Sequence, residues 1–339
     1  MSEDSTPTSK TIVITGGLGN LGSKLCHHIL SSQENNIHKY KVILLEHPNF
    51  INPDKPLPHN DATVLPIDLG NPTANDGKDA AKLKEALEGA DALIHFSAVN
   101  PYPNATWSEC AQSMGHTFYI FQMAVLCKVR RVILASSNHV MGGYKDISTH
   151  GPASVHPHSD PMVGTLPLNP QTLALSGDAR AYAAAKLAGE RLAMTLAELH
   201  GDTTSFVVLR IGWCQPGENL PATLTAAGSP PEFLLDGEEE GGGANGEEDN
   251  AKKQGEEDDK KDELWFKRMW LSNRDFLSYF DAALRLEVPT TEGDGEGPHR
   301  NVRRGFVLVN AMSKNKDAKW NLDQTEKWLG VVSTDDSLA

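Results

Sequence analysis

The chain has 339 residues, of which 39% are hydrophobic and 22% are charged, so it can form one large or two ordinary domains with a sizeable core. It has no apolar run of about 18 residues and no secretory signal after Met1, so we expect no membrane span and a cytoplasmic location. The net charge of −14 argues against a nucleic-acid partner. Thirteen acidic residues against four lysines lie within 236–263, so most of this charge belongs to one segment.

Short apolar, β-branched runs alternate with helical patterns along the chain. We predict strands at 11–15, 41–46, 62–67, 92–98, 131–137, 205–212 and 305–309, and helices at 19–31, 79–88, 105–127, 179–200, near 272–286 and near 322–329. Continuous apolar strands separated by helices are typical of a parallel sheet covered on both faces. The sequence therefore predicts an α/β fold with a doubly wound parallel sheet.

A glycine-rich turn, Thr15-Gly-Gly-Leu-Gly-Asn-Leu-Gly22, follows the first strand and opens the first helix. Side chains at these glycines would keep a pyrophosphate away from the backbone amides, so the turn predicts dinucleotide binding at a helix N-terminus. Glu46 ends the second strand, where a carboxylate accepts from ribose hydroxyls and repels a 2′-phosphate, which favours NAD over NADP. The cofactor-binding residues that we predict are Gly16, Gly19, Asn20, Leu21, Gly22, Glu46, Asp68, Leu69, Ser97 and Lys186.

A second motif, Tyr182-Ala-Ala-Ala-Lys186, places a phenol and an ammonium four residues apart on one helix face. An ammonium near a phenol favours the phenolate, so we expect Lys186 to lower the pKa of Tyr182 and make it a general base. Ser136 and Ser137 end the fifth strand, at the edge of the sheet where ligands bind. The sequence therefore predicts that Tyr182 and Lys186, with a serine hydroxyl from Ser136 or Ser137, remove a proton from a substrate hydroxyl.

The chain resembles the extended short-chain dehydrogenase/reductase (NAD-dependent epimerase/dehydratase) family in three segments taken together, TGGLGNLG, SSNHVMG and YAAAK. Within it, Asn138 and His139 after the serines, and the stretch Leu209-Arg-Ile-Gly-Trp-Cys214, are similar to the uronate dehydrogenase branch. The resemblance implies a Rossmann fold with a small C-terminal substrate-binding subdomain. It also implies oxidation of a uronate-like sugar hydroxyl with NAD, and a homodimer formed through helices 105–127 and 179–200.

The same resemblance implies roles for single residues. Tyr182 would be the base, Lys186 its partner and Ser137 the residue that orients the hydroxyl. The substrate contacts would come from Asn100, Asn138, His139 and Arg210, with Arg210 facing the sugar carboxylate because a guanidinium binds carboxylates through two parallel hydrogen bonds. The structural alternative for Arg210 is a pair with an acid at a strand end, and the alternatives for Asn138 and His139 are a turn cap and a backbone contact.

Composition suggests the domain limits. We expect a disordered N-terminus at 1–10, an NAD-binding domain at 11–212, a substrate subdomain at 213–330 and a tail at 331–339. Residues 145–178, rich in Pro, His and Ser, predict a long active-site loop. The low-complexity segment 236–263 cannot bury enough apolar surface to offset its chain entropy, so we predict that it is disordered.

Two other function classes remain open at this point. A sugar-nucleotide epimerase or dehydratase would use the same residues and retain NAD through its cycle, and a non-catalytic NAD-sensing protein would need only the glycine turn. The cysteines and histidines form no pattern typical of a metal site, so we expect none. The partner that we expect, besides a second subunit, is a small-molecule substrate.

Overall fold

The computed structural model describes residues 9–32, 39–71, 77–98, 105–147, 149–164, 179–224, 260, 263–288 and 302–339. Strands run over β1 (Ser9–Thr15), β2 (Lys39–Glu46), β3 (Thr63–Pro66), β4 (Ala92–His95), β5 (Arg131–Ser137), β6 (Ser205–Ile211), β7 (Val302–Arg303) and β8 (Phe306–Ala311). Helices run over α1 (Asn20–Ser31), α2 (Lys78–Leu87), α3 (Trp107–Leu126), α4 (Arg180–His200), α5 (Asn273–Arg285) and α6 (Asp323–Leu329). None of the helices within these ranges is long and apolar enough to cross a membrane.

The strands form one sheet in the order β3-β2-β1-β4-β5-β6-β8-β7, in which only the β7–β8 pair is antiparallel. The order reverses between β1 and β4, so their connections leave in opposite directions and open a crevice at the carboxyl ends of the strands. The glycine turn follows β1 directly and therefore lies at this crevice.

Alternate residues of each strand serve the two faces of the sheet, because successive side chains point in opposite directions. Ile12 and Ile14 pack in one apolar cluster with α1 and α5, whereas Val13 packs in a second cluster with α2, α3 and α4. Both faces are thus covered by helices. This arrangement confirms the predicted doubly wound parallel sheet.

Side-chain caps fix where two of the long helices begin. Thr106 and Glu109 form a reciprocal capping box at the start of α3, and the Ser272 hydroxyl accepts from the Asp275 amide at the start of α5. Each cap satisfies a backbone N–H group that has no partner inside the helix. The N-terminus of α4 has no such cap, and Ala179 before it has a φ of 57°.

The chain beyond residue 212 contributes both to the sheet with its helices and to a separate apolar cluster. β8 pairs in parallel with β6, and α5 covers the sheet, so these elements complete the predicted NAD-binding domain. A third apolar cluster, which includes Met141, Trp270, Met312 and Trp320, is separate from the two clusters on the faces of the sheet. The limit expected at 212 therefore does not separate two domains, because the sheet needs β8 as its seventh parallel strand.

The expected tail, residues 331–339, packs on the rest of the protein. The Ser333 hydroxyl is buried and donates to Oδ2 of Asp275 at 2.6 Å, and Asp335 accepts from Ser272 and Arg274. Ser9 and Lys10 likewise belong to β1, although the sequence predicts disorder up to residue 10. The disorder expected for 1–8 and for nearly all of 236–263, and the loop residues 165–178, lie outside the described residues.

Candidate active site

The glycine turn is shaped by close backbone contacts. Gly16 has a φ of +64°, and a Cβ there would lie 3.0 Å from the amide nitrogen of Ser97. A Cβ on Gly22 would lie 2.7 Å from Cα of Gly17, whereas a Cβ on Gly19 would meet only the Gly16 carbonyl at 3.3 Å. Gly16 and Gly22 are therefore required by the fold itself. Gly19 leaves open the side of the turn that a pyrophosphate would approach, which fits a dinucleotide.

The carboxylate of Glu46 is held against the same turn. Its Oε2 accepts from the Leu18 amide at 3.1 Å and its Oε1 accepts from the His47 amide at 2.9 Å. Asp68, after β3, accepts from the Gly70 amide at 2.8 Å and lies 3.8 Å from Nε2 of His47. The predicted contacts to the adenosine end of the cofactor thus lie side by side at the ends of β2 and β3.

The remaining predicted cofactor residues have varied surroundings. Nδ2 of Asn20 donates to the carbonyl of Cys214 at 3.0 Å, so this side chain ties α1 to the segment after β6. Leu21 and Leu69 pack in the two apolar clusters of the sheet. The Ser97 amide donates to the Thr15 hydroxyl at 3.3 Å and so lies beside the glycine turn.

Ser137 is the last residue of β5 and also begins a 3₁₀ segment, Asn138–Asp146. Its hydroxyl accepts from the His139 amide at 3.1 Å. Val140 and Met141 anchor this segment because both are fully buried in the third apolar cluster. Ser137, Asn138 and His139 are consequently fixed at the carboxyl end of the sheet.

Tyr182 and Lys186 project from α4 towards the same place, and Nζ of Lys186 lies 5.6 Å from the centre of the Tyr182 ring. Nζ also donates to the carbonyl of Ala135 at 2.8 Å. Burial raises the pKa of Tyr182 to about 12, although a side-chain hydrogen bond with Ser137 opposes the shift. Burial also lowers the pKa of Lys186 to about 8, against the charge of Glu190. The pKa of the phenol is therefore raised, not lowered as its neighbouring lysine predicted, because desolvation of the site dominates.

Three buried polar atoms of residues that follow the ends of β5 and β6 have no hydrogen-bond partner in the described part of the chain. They are Oδ1 of Asn138, Nδ1 of His139 and Nε1 of Trp213. The His139 ring meets the Tyr182 ring edge-on with centroids 6.1 Å apart, and burial lowers the pKa of His139 to about 4. Since buried polar groups are rarely left unpaired, these atoms suit a polar, uncharged part of a ligand.

Arg210 does not have the surroundings expected of a substrate contact. Its guanidinium is buried and makes a two-point pair with Glu190, and it also donates to the carbonyl of Pro157. The expected contact to a sugar carboxylate is thus replaced by the structural alternative, because Glu190 already supplies the carboxylate. Asn100, the other predicted contact, lies outside the described residues.

The sequence analysis missed a hydrogen-bonded chain behind the site. Nδ1 of His95 lies 2.7 Å from the Thr15 hydroxyl, and its Nε2 lies 2.9 Å from the Thr117 hydroxyl. Burial holds the pKa of His95 well below its usual value. The role of Glu190 was also missed, although its position four residues after Lys186 places both on one helix face.

Several known proteins are similar to this chain in sequence. Residues 12–213 match the NAD dependent epimerase/dehydratase family. L-arabinose 1-dehydrogenase (NAD(P)(+)) of Haloferax volcanii is 24% identical over 263 residues, which cover 77% of this chain and 81% of that protein. Uronate dehydrogenase of Pseudomonas putida is 28% identical over 144 residues, 42% of this chain and 47% of that protein.

The fold also has solved counterparts. A point mutant of uronate dehydrogenase from Agrobacterium tumefaciens, complexed with NAD, superposes with a TM-score of 0.55 at 17% identity, and the alignment covers 98% of this chain and 87% of that one. The family match begins in β1 and extends past β6, and it includes the glycine turn, Ser137, Tyr182 and Lys186. The chain therefore belongs to the NAD dependent epimerase/dehydratase family.

Proposed function

We propose that this protein is an NAD-dependent sugar dehydrogenase that oxidises a secondary hydroxyl of a sugar or sugar acid. The observation that carries the proposal is the contact of Tyr182 with both Ser137 and Lys186 at the carboxyl end of β5. A hydroxyl, a phenol and an ammonium in this arrangement can hold a substrate hydroxyl and take its proton. The two curated relatives described above, both named as sugar or sugar-acid dehydrogenases, support the same reaction class.

The proposed roles follow from the contacts. A bound NAD would supply the acceptor for the hydride that leaves the carbon bearing the hydroxyl. Ser137 orients that hydroxyl, Oη of Tyr182 takes its proton, and Lys186 supplies the positive charge that stabilises the phenolate. Burial disfavours the phenolate, so we expect oxidation to accelerate with rising pH only until Lys186, whose pKa is about 8, loses its proton and the rate reaches its alkaline limb.

The unpaired atoms of the site bear on the substrate. Asn138 offers an acceptor, Trp213 a donor, and His139 a neutral ring nitrogen. Sugar hydroxyls both donate and accept, so one polyhydroxylated ring can satisfy all three. We propose Asn138 and His139 as substrate contacts, and the predicted Asn100 contact remains a proposal from the resemblance.

The test is the absorbance of reduced nicotinamide after NAD or NADP is mixed with the protein and a panel of sugars. The panel contains L-arabinose, galactose, galacturonate, glucuronate and a simple secondary alcohol. We expect reduction of NAD with at least one sugar and weaker reduction of NADP, because a carboxylate at the end of β2, where Glu46 lies, would repel a 2′-phosphate. No reduction with any sugar, while calorimetry shows NAD binding, would contradict the proposal.

The oligomeric state is a separate proposal. α3 and α4 pack side by side on one face of the sheet. We expect a homodimer formed through their outer sides, and light scattering at several protein concentrations tests this expectation.

A further inference from the structure

The guanidinium of Arg210 lies at the junction of three elements and is 2% exposed. Its Nε donates to Oε1 of Glu190 at 2.9 Å and its Nη2 donates to Oε2 at 2.7 Å. The third nitrogen, Nη1, donates to the carbonyl of Pro157 at 3.0 Å. All three nitrogens therefore have partners within the chain, in the two-point geometry that makes Arg–carboxylate pairs strong.

Glu190 connects this pair to the catalytic helix. It lies one turn after Lys186 and two turns after Tyr182 on α4, and its Oε1 accepts from the Ser136 hydroxyl at 2.5 Å. Ser136 and Arg210 are neighbours in the β5–β6 register. One carboxylate thus holds α4 against both strands, and its charge favours the protonated form of Lys186.

Arg210 also connects the pair to residues 149–164, which we call the rim segment. The carbonyl of Pro157 accepts the hydrogen bond from Nη1 of Arg210. Two residues earlier, the carbonyl of Val155 accepts from Nδ2 of Asn310 at 3.0 Å. At the end of the segment, the Gly164 amide donates to the carbonyl of His139 at 3.1 Å. The strands β6 and β8 therefore hold the middle of the rim segment, while its end lies on a proposed substrate contact.

We propose that Arg210 and Glu190 form a positioning pair for the proposed dehydrogenase reaction, on which this inference rests, and that neither residue touches the substrate. Glu190 keeps the helix of Tyr182 and Lys186 in place against β5. Arg210 fixes the rim segment beside His139. A positioning pair affects all substrates alike, whereas an arginine that binds a carboxylate affects acidic sugars selectively.

The first test measures hydrogen exchange of backbone amides in the full chain, and it needs no substrate. In Arg210→Lys the two-point pair and the Pro157 bond cannot form together, so we expect the rim-segment amides, Gly164 included, to exchange at least about 10-fold faster. The matched control is Arg131→Lys, since Arg131 is also buried but donates to the carbonyls of Ala283 and Leu286. Rim-segment exchange that is unchanged in Arg210→Lys, or equally fast in both variants, would overturn the proposal.

The second test uses pH–rate profiles. The charge of Glu190 raises the pKa of Lys186, whereas burial lowers it. Glu190→Gln removes that charge, so we expect the alkaline limb of kcat/KM to move at least about half a pH unit lower. Glu190→Asp keeps the charge and should restore the wild-type limb. A profile identical in Glu190→Gln and wild type would contradict the role of Glu190.

The third test compares galactose with galacturonate, which differ only at C6, where galactose has a hydroxymethyl group and galacturonate has a carboxylate. We expect Arg210→Lys to lower kcat by the same factor for each sugar that the wild type oxidises. A rise in KM confined to galacturonate, with normal rim-segment exchange, would instead assign Arg210 to the substrate. If the wild type oxidises no sugar, the proposed function fails while the exchange experiment still decides whether Arg210 positions the rim segment.

Discussion

Tyr182 lies in surroundings that oppose its ionisation. The phenol is buried, its pKa is raised to about 12 although a hydrogen bond with Ser137 opposes the shift, and the ammonium of Lys186 lies 5.6 Å from the ring centre. The ammonium is itself destabilised by burial. A dry site strengthens every charge interaction within it, so small changes at Ser137 or Lys186 have large effects on the proton transfer.

At this residue, the decisive variant is Tyr182→Phe. It keeps the ring that packs against His139 but removes the proton acceptor, so we expect normal NAD affinity and a loss of turnover of at least about 100-fold. Calorimetry and the reduced-nicotinamide assay measure the two quantities. Tyr119→Phe, on α3 away from the site, is the control, and turnover in Tyr182→Phe within a few-fold of the wild type would exclude the proposed base.

Two buried histidines make stability depend on pH. The pKa of His139 is lowered to about 4 and that of His95 lies well below its usual value, whereas in the unfolded chain both take up a proton near pH ~6.5. Between these values the unfolded state binds more protons, so stability is complete above pH ~6.5 and falls as the pH falls towards ~4. The slope is about 1.4 kcal/mol per pH unit for each histidine.

Urea unfolding at several pH values between neutral and mildly acidic measures this slope. We expect His139→Gln to reduce it by about the contribution of one histidine. The His95–Thr15–Thr117 chain remains intact in that variant and keeps the other contribution. A slope equal to that of the wild type would show that His139 does not stay neutral in the folded protein.

At the scale of single elements, two glycines of the glycine turn have different roles, because the fold requires Gly22 whereas Gly19 leaves room for a ligand. In Gly22→Ala the new Cβ meets the backbone of Gly16 and Gly17, so we expect lower thermal stability together with weaker NAD binding. In Gly19→Ala the Cβ has one contact, at 3.3 Å from a carbonyl, so we expect near-normal stability but at least about 10-fold weaker NAD binding. Thermal melting and NAD titration of both variants test the pair, and a Gly19→Ala variant with wild-type NAD affinity would contradict the proposed pyrophosphate site.

The elements that sequence reasoning predicted well are those with strong periodicity. Apolar β-branched runs identified β1, β2 and β5 because buried parallel strands have few other sequence solutions. The 3₁₀ segment Asn138–Asp146 was not predicted, since its shape depends on packing against Met269 and Trp270, which are distant in sequence. β7 has two residues and no pattern of its own, so only its pairing with β8 defines it.

The candidate site shows the same limit at single residues. The motif around Tyr182 and Lys186 was recognisable because a helix places residues four apart on one face. The pKa of Tyr182 was predicted in the wrong direction because burial, which no local spacing reveals, outweighs the nearby charge. Whether Arg210 faced a ligand or Glu190 depended on two elements packing together, and the sequence left both alternatives open.

At the scale of the whole molecule, the C-terminal residues contribute to stability through polar contacts. Oδ2 of Asp275 accepts from the hydroxyls of Ser313 at 2.5 Å and Ser333 at 2.6 Å. Ser333→Ala removes one donor from a buried carboxylate, so we expect the free energy of unfolding to fall by about 1–3 kcal/mol. Denaturant unfolding measures it, Val332→Ala at an exposed neighbour is the control, and equal stability of the two variants would contradict a structural role for this segment.

While the ribosome makes this chain, its sheet stays open until Ala311 has emerged. β6 ends at Ile211 and its neighbour β8 begins at Phe306, so the edge of β6 lacks its partner while the intervening residues are translated, for about 5–20 seconds. The apolar side of α5, including Phe276 and Phe280, is completed in the same interval. An unpaired strand edge beside apolar surface binds chaperones or other nascent chains. Slower synthesis at a reduced growth temperature, or additional chaperone, should therefore raise the yield of correctly folded recombinant protein.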